Sequence, residues 1–130
     1  MMEYAEIRVL LVDDDEMIRD CMTAYLEDEG FSVRSADRAE DALEWIAGFQ
    51  PAVCISDLRL PGMNGEEFIS RAYAIAPDTG YLLHTGMLYL LSDKLRAIGM
   101  TADDVLLKPI HDLSKLVEKI RQLAAAGGVV

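Results

Sequence analysis

Four short apolar runs in this sequence each hand over to a polar residue that can do chemistry. Ile7 to Val12 is followed by Asp13, Asp14 and Asp15, Ala52 to Ser56 by Asp57, Tyr81 to His84 by Thr85, and Val105 to Leu107 by Lys108. Carboxylates gathered in one place repel: two unit charges about 4 Å apart cost roughly 4 kcal/mol at an effective dielectric of 20. A site that collects them therefore needs positive charge. Lys108 supplies one, and a hard divalent cation with oxygen ligands supplies two more. No Cys or His stands among the candidates, so Mg2+ suits them better than Zn2+. A carboxylate, a metal, a lysine and a hydroxyl together match phosphoryl transfer. The carboxylate is the nucleophile that becomes an acyl phosphate, the cations neutralise the phosphoryl oxygens, and the hydroxyl donates a hydrogen bond to one of them. Singly these signals are weak, because an acidic run is usually a solvated face and an Asp after a strand is usually a cap or turn. Only their convergence makes a site.

The elements that must bring them together follow from the changing hydrophobic period. After the first strand, Ile18, Cys21, Met22, Tyr25 and Leu26 recur at helical spacing, and Gly30 ends that helix. Phe31 to Ser35 alternates as a strand. Asp37 with Glu40 predicts a capping box opening a helix that buries Leu43 and Ile46. Pro51 resets the chain before the third strand, and the cluster Pro61 to Gly65 is a turn leading into a helix through Phe68, Ile69 and Ala72. Met87 to Ile98 is predicted helical with Gly99 as its stop, and Leu113, Leu116, Val117, Ile120 and Leu123 line the last helix. Five strands alternating with five helices predict an α/β fold, a doubly wound parallel sheet covered on both faces. In such sheets the functional crevice lies beyond the carboxyl ends of the strands, where Asp13, Asp14, Asp57, Thr85 and Lys108 all fall.

At 130 residues the chain has the size of one domain, expected over residues 6–124. Residues 125–130 read as a flexible tail or a truncated linker. The net charge of −11 argues against nucleic-acid binding by this chain alone and against an anionic membrane surface. The opening residues lack the basic stretch and apolar run of a secretory leader, and no segment is long enough for a membrane span. Cys21 and Cys54 are too few for a disulfide framework and read as small buried apolar residues in a reducing, cytoplasmic compartment. His84 and His111 have no ligand spacing, and read as a buried strand-end imidazole and a loop imidazole.

In their order and spacing, these motifs resemble those of the two-component response-regulator receiver domain. They are Val12-Asp13-Asp14-Asp15, Asp57-Leu58-Arg59-Leu60-Pro61-Gly62-Met63-Asn64-Gly65, Thr85-Gly86, and Ala102-Asp103-Asp104 leading to Lys108-Pro109. The resemblance spans Ile7 to Leu123 and implies a flavodoxin-like strand order of 2-1-3-4-5. It implies that Asp57 accepts a phosphoryl group and that Asp13, Asp14, Asp57 and the backbone carbonyl of Arg59 hold Mg2+. Lys108 would pair with the phosphoryl group, Thr85 would be the switch hydroxyl, and Arg59 and Met87 would tune how fast water reaches the acyl phosphate. Asp15 reads instead as an acid at a helix N-terminus. Where the family usually carries Tyr or Phe, three residues before the lysine, this chain has Val105. Without a ring to rotate, output is expected to depend on the segment from Thr85 to Ile98 moving as a unit.

The implied partners are a sensor histidine kinase or a histidine phosphotransfer protein, docking near Met17, Ile18 and Met22. A downstream protein, or an output domain outside this chain, would read the face with Leu88, Tyr89, Lys94 and Val105. Such a domain catalyses only its own phosphotransfer and slow dephosphorylation, so it is not an enzyme in the ordinary sense. A haloacid-dehalogenase-like phosphatase is the nearest enzyme alternative, but Met17 stands where its motif needs Thr, and it leaves Asp57 without a role. A pseudo-receiver working without phosphorylation fits poorly with a full set of Asp13, Asp14, Asp57, Thr85 and Lys108.

Overall fold

The structure, a computed structural model, describes residues 6–128. The leader reading of the opening residues falls mostly on residues 1–5, and Val129 and Val130 close the predicted tail; these lie outside the described residues. The five strands are β1 (Arg8–Val12), β2 (Ser32–Ala36), β3 (Val53–Asp57), β4 (Gly80–Thr85) and β5 (Val105–Leu107). They form one sheet with all pairs parallel, as the alternating pattern predicts, in the order β2-β1-β3-β4-β5 that the resemblance implies. The helices between them are α1 (Glu16–Asp28), α2 (Ala39–Phe49), α3 (Gly65–Ile75), α4 (Asp93–Ala97) and α5 (Leu113–Ala126). Among the described residues, no helix is long and apolar enough to cross a membrane.

Central strands are apolar on both faces because both faces are covered. Leu10, Val12, Cys54 and Leu83 pack with Ala42 and Ile46 of α2, Phe68 and Ile69 of α3, and Leu95 of α4. On the opposite face Val9, Leu11, Val53, Ile55 and Leu82 pack with Met22 and Leu26 of α1 and with Leu116 and Ile120 of α5. Each fully buried Leu, Ile or Phe contributes roughly 2 kcal/mol, so these two layers fix the strand ends against the helix starts. That fixed frame positions the site.

Several local expectations are corrected. The predicted helix over 87–98 is only α4, capped by the Ser92 side chain, which accepts from Leu95 N at 3.2 Å. Leu88 and Leu90, inside that predicted span, project into solvent. No capping box forms at Asp37 and Glu40: the N-cap is Arg38, without a side-chain bond, and Glu40 Oε1 instead accepts from Met63 N at 3.4 Å. Cys54 is buried, but Cys21 is exposed, because Met22 and Leu26 take the core face of α1. Helix α5 runs through Ala126 with Ala124 buried, two residues into the segment read as a tail. Gly30 and Gly99 follow α1 and α4 with φ of +95° and +94°, the left-handed conformation that suits glycine.

Candidate phosphoryl-transfer site

Strand β1 ends at Val12, and the chain turns so that the Asp13 carboxylate lies 1 % exposed at the sheet edge. Its Oδ1 accepts from Asp15 N at 2.9 Å. Asp15 in turn caps α1, its Oδ1 accepting from Met17 N at 3.0 Å and Ile18 N at 3.3 Å, which makes it the helix-terminal acid expected. Arg19, one turn into α1, donates from Nη1 to the Asp13 carbonyl at 2.7 Å. Strand β3 delivers Asp57, nearly buried, with Oδ1 accepting from Arg59 N at 3.3 Å. Just past β5, Lys108 reaches back across the edge. Its Nζ donates to Asp57 Oδ2 at 2.9 Å and to Asp13 Oδ2 at 3.0 Å. Residues 95 and 51 positions away in sequence thus share one ammonium.

The electrostatics follow from that bridge. Burial pushes the Asp13 carboxyl up, against the Asp15 N–H and Lys108 that favour its charge. Burial opposes the charge on Lys108, but its bonds to Asp57 and Asp13 outweigh this and hold the ammonium above its ordinary range. Asp14 is exposed, yet one oxygen each from Asp13, Asp14 and Asp57 can lie within 4.8 Å of one another. All three donors are hard oxygens, and together they carry more negative charge than Lys108 balances. This donor set fits a hard divalent cation.

Thr85 is buried at the end of β4, with Oγ1 accepting from Met87 N at 3.2 Å and its carbonyl accepting from Lys108 N at 2.7 Å. Arg59 is exposed beside Asp57, and Met87 is 42 % exposed beside Thr85. Val105 is half-buried and lines a groove of about 360 Å³ with Tyr89, Leu91, Arg96 and Met100. Of the residues read as a docking site on α1, Met17 is exposed and Ile18 half-buried, but Met22 belongs to the core. His84, register partner of Asp57, is buried with no hydrogen-bond partner among the described residues at either nitrogen, and burial, followed by the Lys108 charge, lowers its pKa to about 4. No sequence signal marked that imidazole as neutral. Its position between Asp57 and Lys108 becomes visible only in the sheet.

The response regulator receiver domain family model matches residues 9–121. The chain belongs to the response regulator receiver family. Among curated relatives, the transcriptional regulatory protein AruR of Pseudomonas aeruginosa is 33 % identical over 93 % of this receiver domain, covering 53 % of its own length. The cell cycle response regulator CtrA of Brucella abortus is 31 % identical over 90 % of this chain and 50 % of its own. The receiver domain thus spans about half the length of the curated relatives it matches. Among solved structures, a CheY-like receiver domain protein from Methanospirillum hungatei superposes with a TM-score of 0.85 at 30 % identity, covering 95 % of this chain and 98 % of that one. The response regulator TrrA of Thermotoga maritima, solved in complex with Mg2+ and BeF, gives 0.78 at 27 % identity over 90 % and 98 % of the two chains.

Proposed function

We propose that this receiver domain is a phosphoacceptor switch in which Asp57 takes a phosphoryl group from a phosphohistidine on a sensor histidine kinase or histidine phosphotransfer protein. The observation that carries the reading is the single Lys108 ammonium shared by the Asp57 and Asp13 carboxylates. Asp13, Asp14, Asp57 and the backbone carbonyl of Arg59 would hold Mg2+, which supplies charge neutralisation for the phosphoryl oxygens when bound. A carboxylate oxygen of Asp57 forms the new P–O bond as the P–N bond to the donor imidazole breaks, and the bonding pair leaves with the imidazole nitrogen. Lys108 already touches Asp57 Oδ2, so a short shift lets its ammonium follow the incoming phosphoryl oxygens. Thr85 Oγ1 accepts a bond from Met87 N, which leaves its own proton free to donate to the phosphoryl group.

Arg59 and Met87 flank that position and control the access of water to the acyl phosphate. The receiver unit comprises the domain expected over residues 6–124 together with the end of α5, which runs to Ala126, and catalyses only its own phosphorylation and hydrolysis. It works in the cytoplasm, where the exposed, unpaired Cys21 thiol is stable. Its output is read by a downstream protein, or by a further domain of a longer chain, at the surface from Met87 to Val105. An acyl-phosphate donor such as acetyl phosphate, offered to wild type and to Asp57→Asn with and without Mg2+, tests this by intact-protein mass. Wild type with Mg2+ gains one phosphoryl group and the other three samples do not; equal labelling of both proteins overturns the reading.

A further inference from the structure

Helix α3 begins directly on the proposed phosphoacceptor. Gly65 N donates to the Leu58 carbonyl at 2.8 Å, and a Cβ on Gly65 would overlap the Asp57 carbonyl oxygen. The contact has no slack, so a displacement of the Asp57 backbone displaces the start of α3. The next two residues reach away from the sheet edge toward the segment after Thr85. Glu66 Oε2 accepts the Tyr89 hydroxyl at 2.8 Å, and Glu67 Oε2 accepts Lys94 Nζ at 2.9 Å. The Tyr89 bond is half-buried. Burial, then the Glu66 carboxylate, pushes the phenol up, so it keeps the proton it donates.

Leu91 and Leu95 anchor the segment these bonds hold in the core, and the residues around them are loosely fixed. Gly86 to Ser92 has neither helix nor strand, and Leu88 and Leu90 are 96 % and 90 % exposed. Among the described residues, Tyr89–Glu66 is the only side-chain hydrogen bond joining that loop to an element other than β4 and α4, which flank it in sequence. Helix α4 has five residues, fewer than a helix needs to persist by its own backbone bonds. Lys94 ties it to the same turn of α3 that holds Tyr89.

We propose that Glu66–Tyr89 and Glu67–Lys94 form a latch through which the first turn of α3, seated on Asp57, sets the position of residues 86–97. A change of state at Asp57 then reaches the exposed Leu88 and Leu90 surface by way of α3. The relay rests on the Asp57 reading above; the latch itself exists without phosphorylation. Val105 and Tyr89 line one groove, so opening the latch also changes the shape of that groove.

Amide hydrogen exchange over residues 86–97 tests both parts, in the full chain, before and after acetyl phosphate with Mg2+, with intact mass reporting phosphoryl occupancy. The variants are Tyr89→Phe, which keeps the ring and loses the donor, Lys94→Met, and Glu66→Gln, which keeps an acceptor. Without phosphodonor, Tyr89→Phe exchanges about tenfold faster than wild type over 93–97, where Leu95 N and Arg96 N bond to Ser92, the factor expected for losing one bond to a carboxylate, and Glu66→Gln stays near wild type. With phosphodonor, wild type changes its exchange over 86–97, whereas the Tyr89→Phe/Lys94→Met double variant takes up the same phosphoryl load without that change. Unaltered exchange in Tyr89→Phe overturns the latch. A wild-type response retained in the double variant, or absent from labelled wild type, overturns the relay. Absence of any labelling of wild type instead overturns the assignment of Asp57, a separate result.

Discussion

Replacing Lys108 by Met removes the ammonium that two carboxylates share and keeps most of the apolar stem. In the native protein Nζ lies 2.9 Å from Asp57 and 3.0 Å from Asp13, whose side chains are only 10 % and 1 % exposed. Removing one partner of such a buried pair costs about 3–5 kcal/mol, because the charges left behind are neither solvated nor paired. The two carboxylates add their own repulsion, and without the ammonium Asp13, already pushed up by burial, is pushed up further. We therefore expect Lys108→Met to lose about 3 kcal/mol in metal-free buffer at neutral pH. The sign of the pH dependence follows. A carboxyl whose folded pKa is raised penalises the native state above that pKa, and the penalty shrinks as pH falls through it. The deficit of Lys108→Met relative to wild type thus narrows on acidification. Added Mg2+ must stabilise the variant more than wild type, because it meets two carboxylates with no competing ammonium. Urea unfolding with and without Mg2+ at several pH values measures all of this. Equal stability of the two proteins, or an equal Mg2+ increment in both, refutes the shared-cation account.

Other consequences are independent of that pair. His84, lowered from 6.5 to about 4, binds no proton in the native state over a range where the unfolded chain does, so its contribution is full above about pH 6.5 and is lost as pH falls to about 4. That contribution is about 3 kcal/mol. His84→Leu should flatten this slope in urea unfolding across the same range, and an unchanged slope would contradict the assignment. Gly65→Ala pushes a methyl group into the Asp57 carbonyl and should cost at least about 2 kcal/mol by thermal unfolding; a wild-type melting curve would show that α3 can yield there. Asp13→Asn removes one charged, hard oxygen donor of the proposed Mg2+ site, and calorimetric Mg2+ titration should show weakened binding, with undiminished affinity counting against the Asp13, Asp14 and Asp57 cluster.

The sequence carried the parts of the fold that depend on hydrophobic period. Short runs such as Val53 to Ile55 read as buried strands because both faces of the sheet are covered, and the polar residue ending each run marked the functional edge. Asp57, Asp13 and Lys108 could be placed at that edge, but their sharing of one ammonium depends on how far Lys108 reaches, which no spacing encodes. The helix over 87–98 was overread for a physical reason. Leu88, Leu91 and Leu95 repeat at helical intervals, yet Leu88 finds nothing to pack against and the Ser92 cap starts the helix late. The Asp37–Glu40 capping box failed because Glu40 turns to the loop after β3, bonding Met63 N. Nothing in the sequence around Glu66 and Glu67 marks them as tethers. Their partners Tyr89 and Lys94 lie more than twenty residues away, and only the packing of α3 against α4 joins them.

One measurement decides which carboxylate carries the phosphoryl group. Label wild type with acetyl phosphate and Mg2+, reduce the acyl phosphate with borohydride, and locate the resulting homoserine by peptide mass spectrometry. Homoserine is expected at position 57, with Asp13 and Asp14 unchanged. Homoserine at position 13 would contradict it, making Asp13 the nucleophile and leaving Asp57 as a ligand alone.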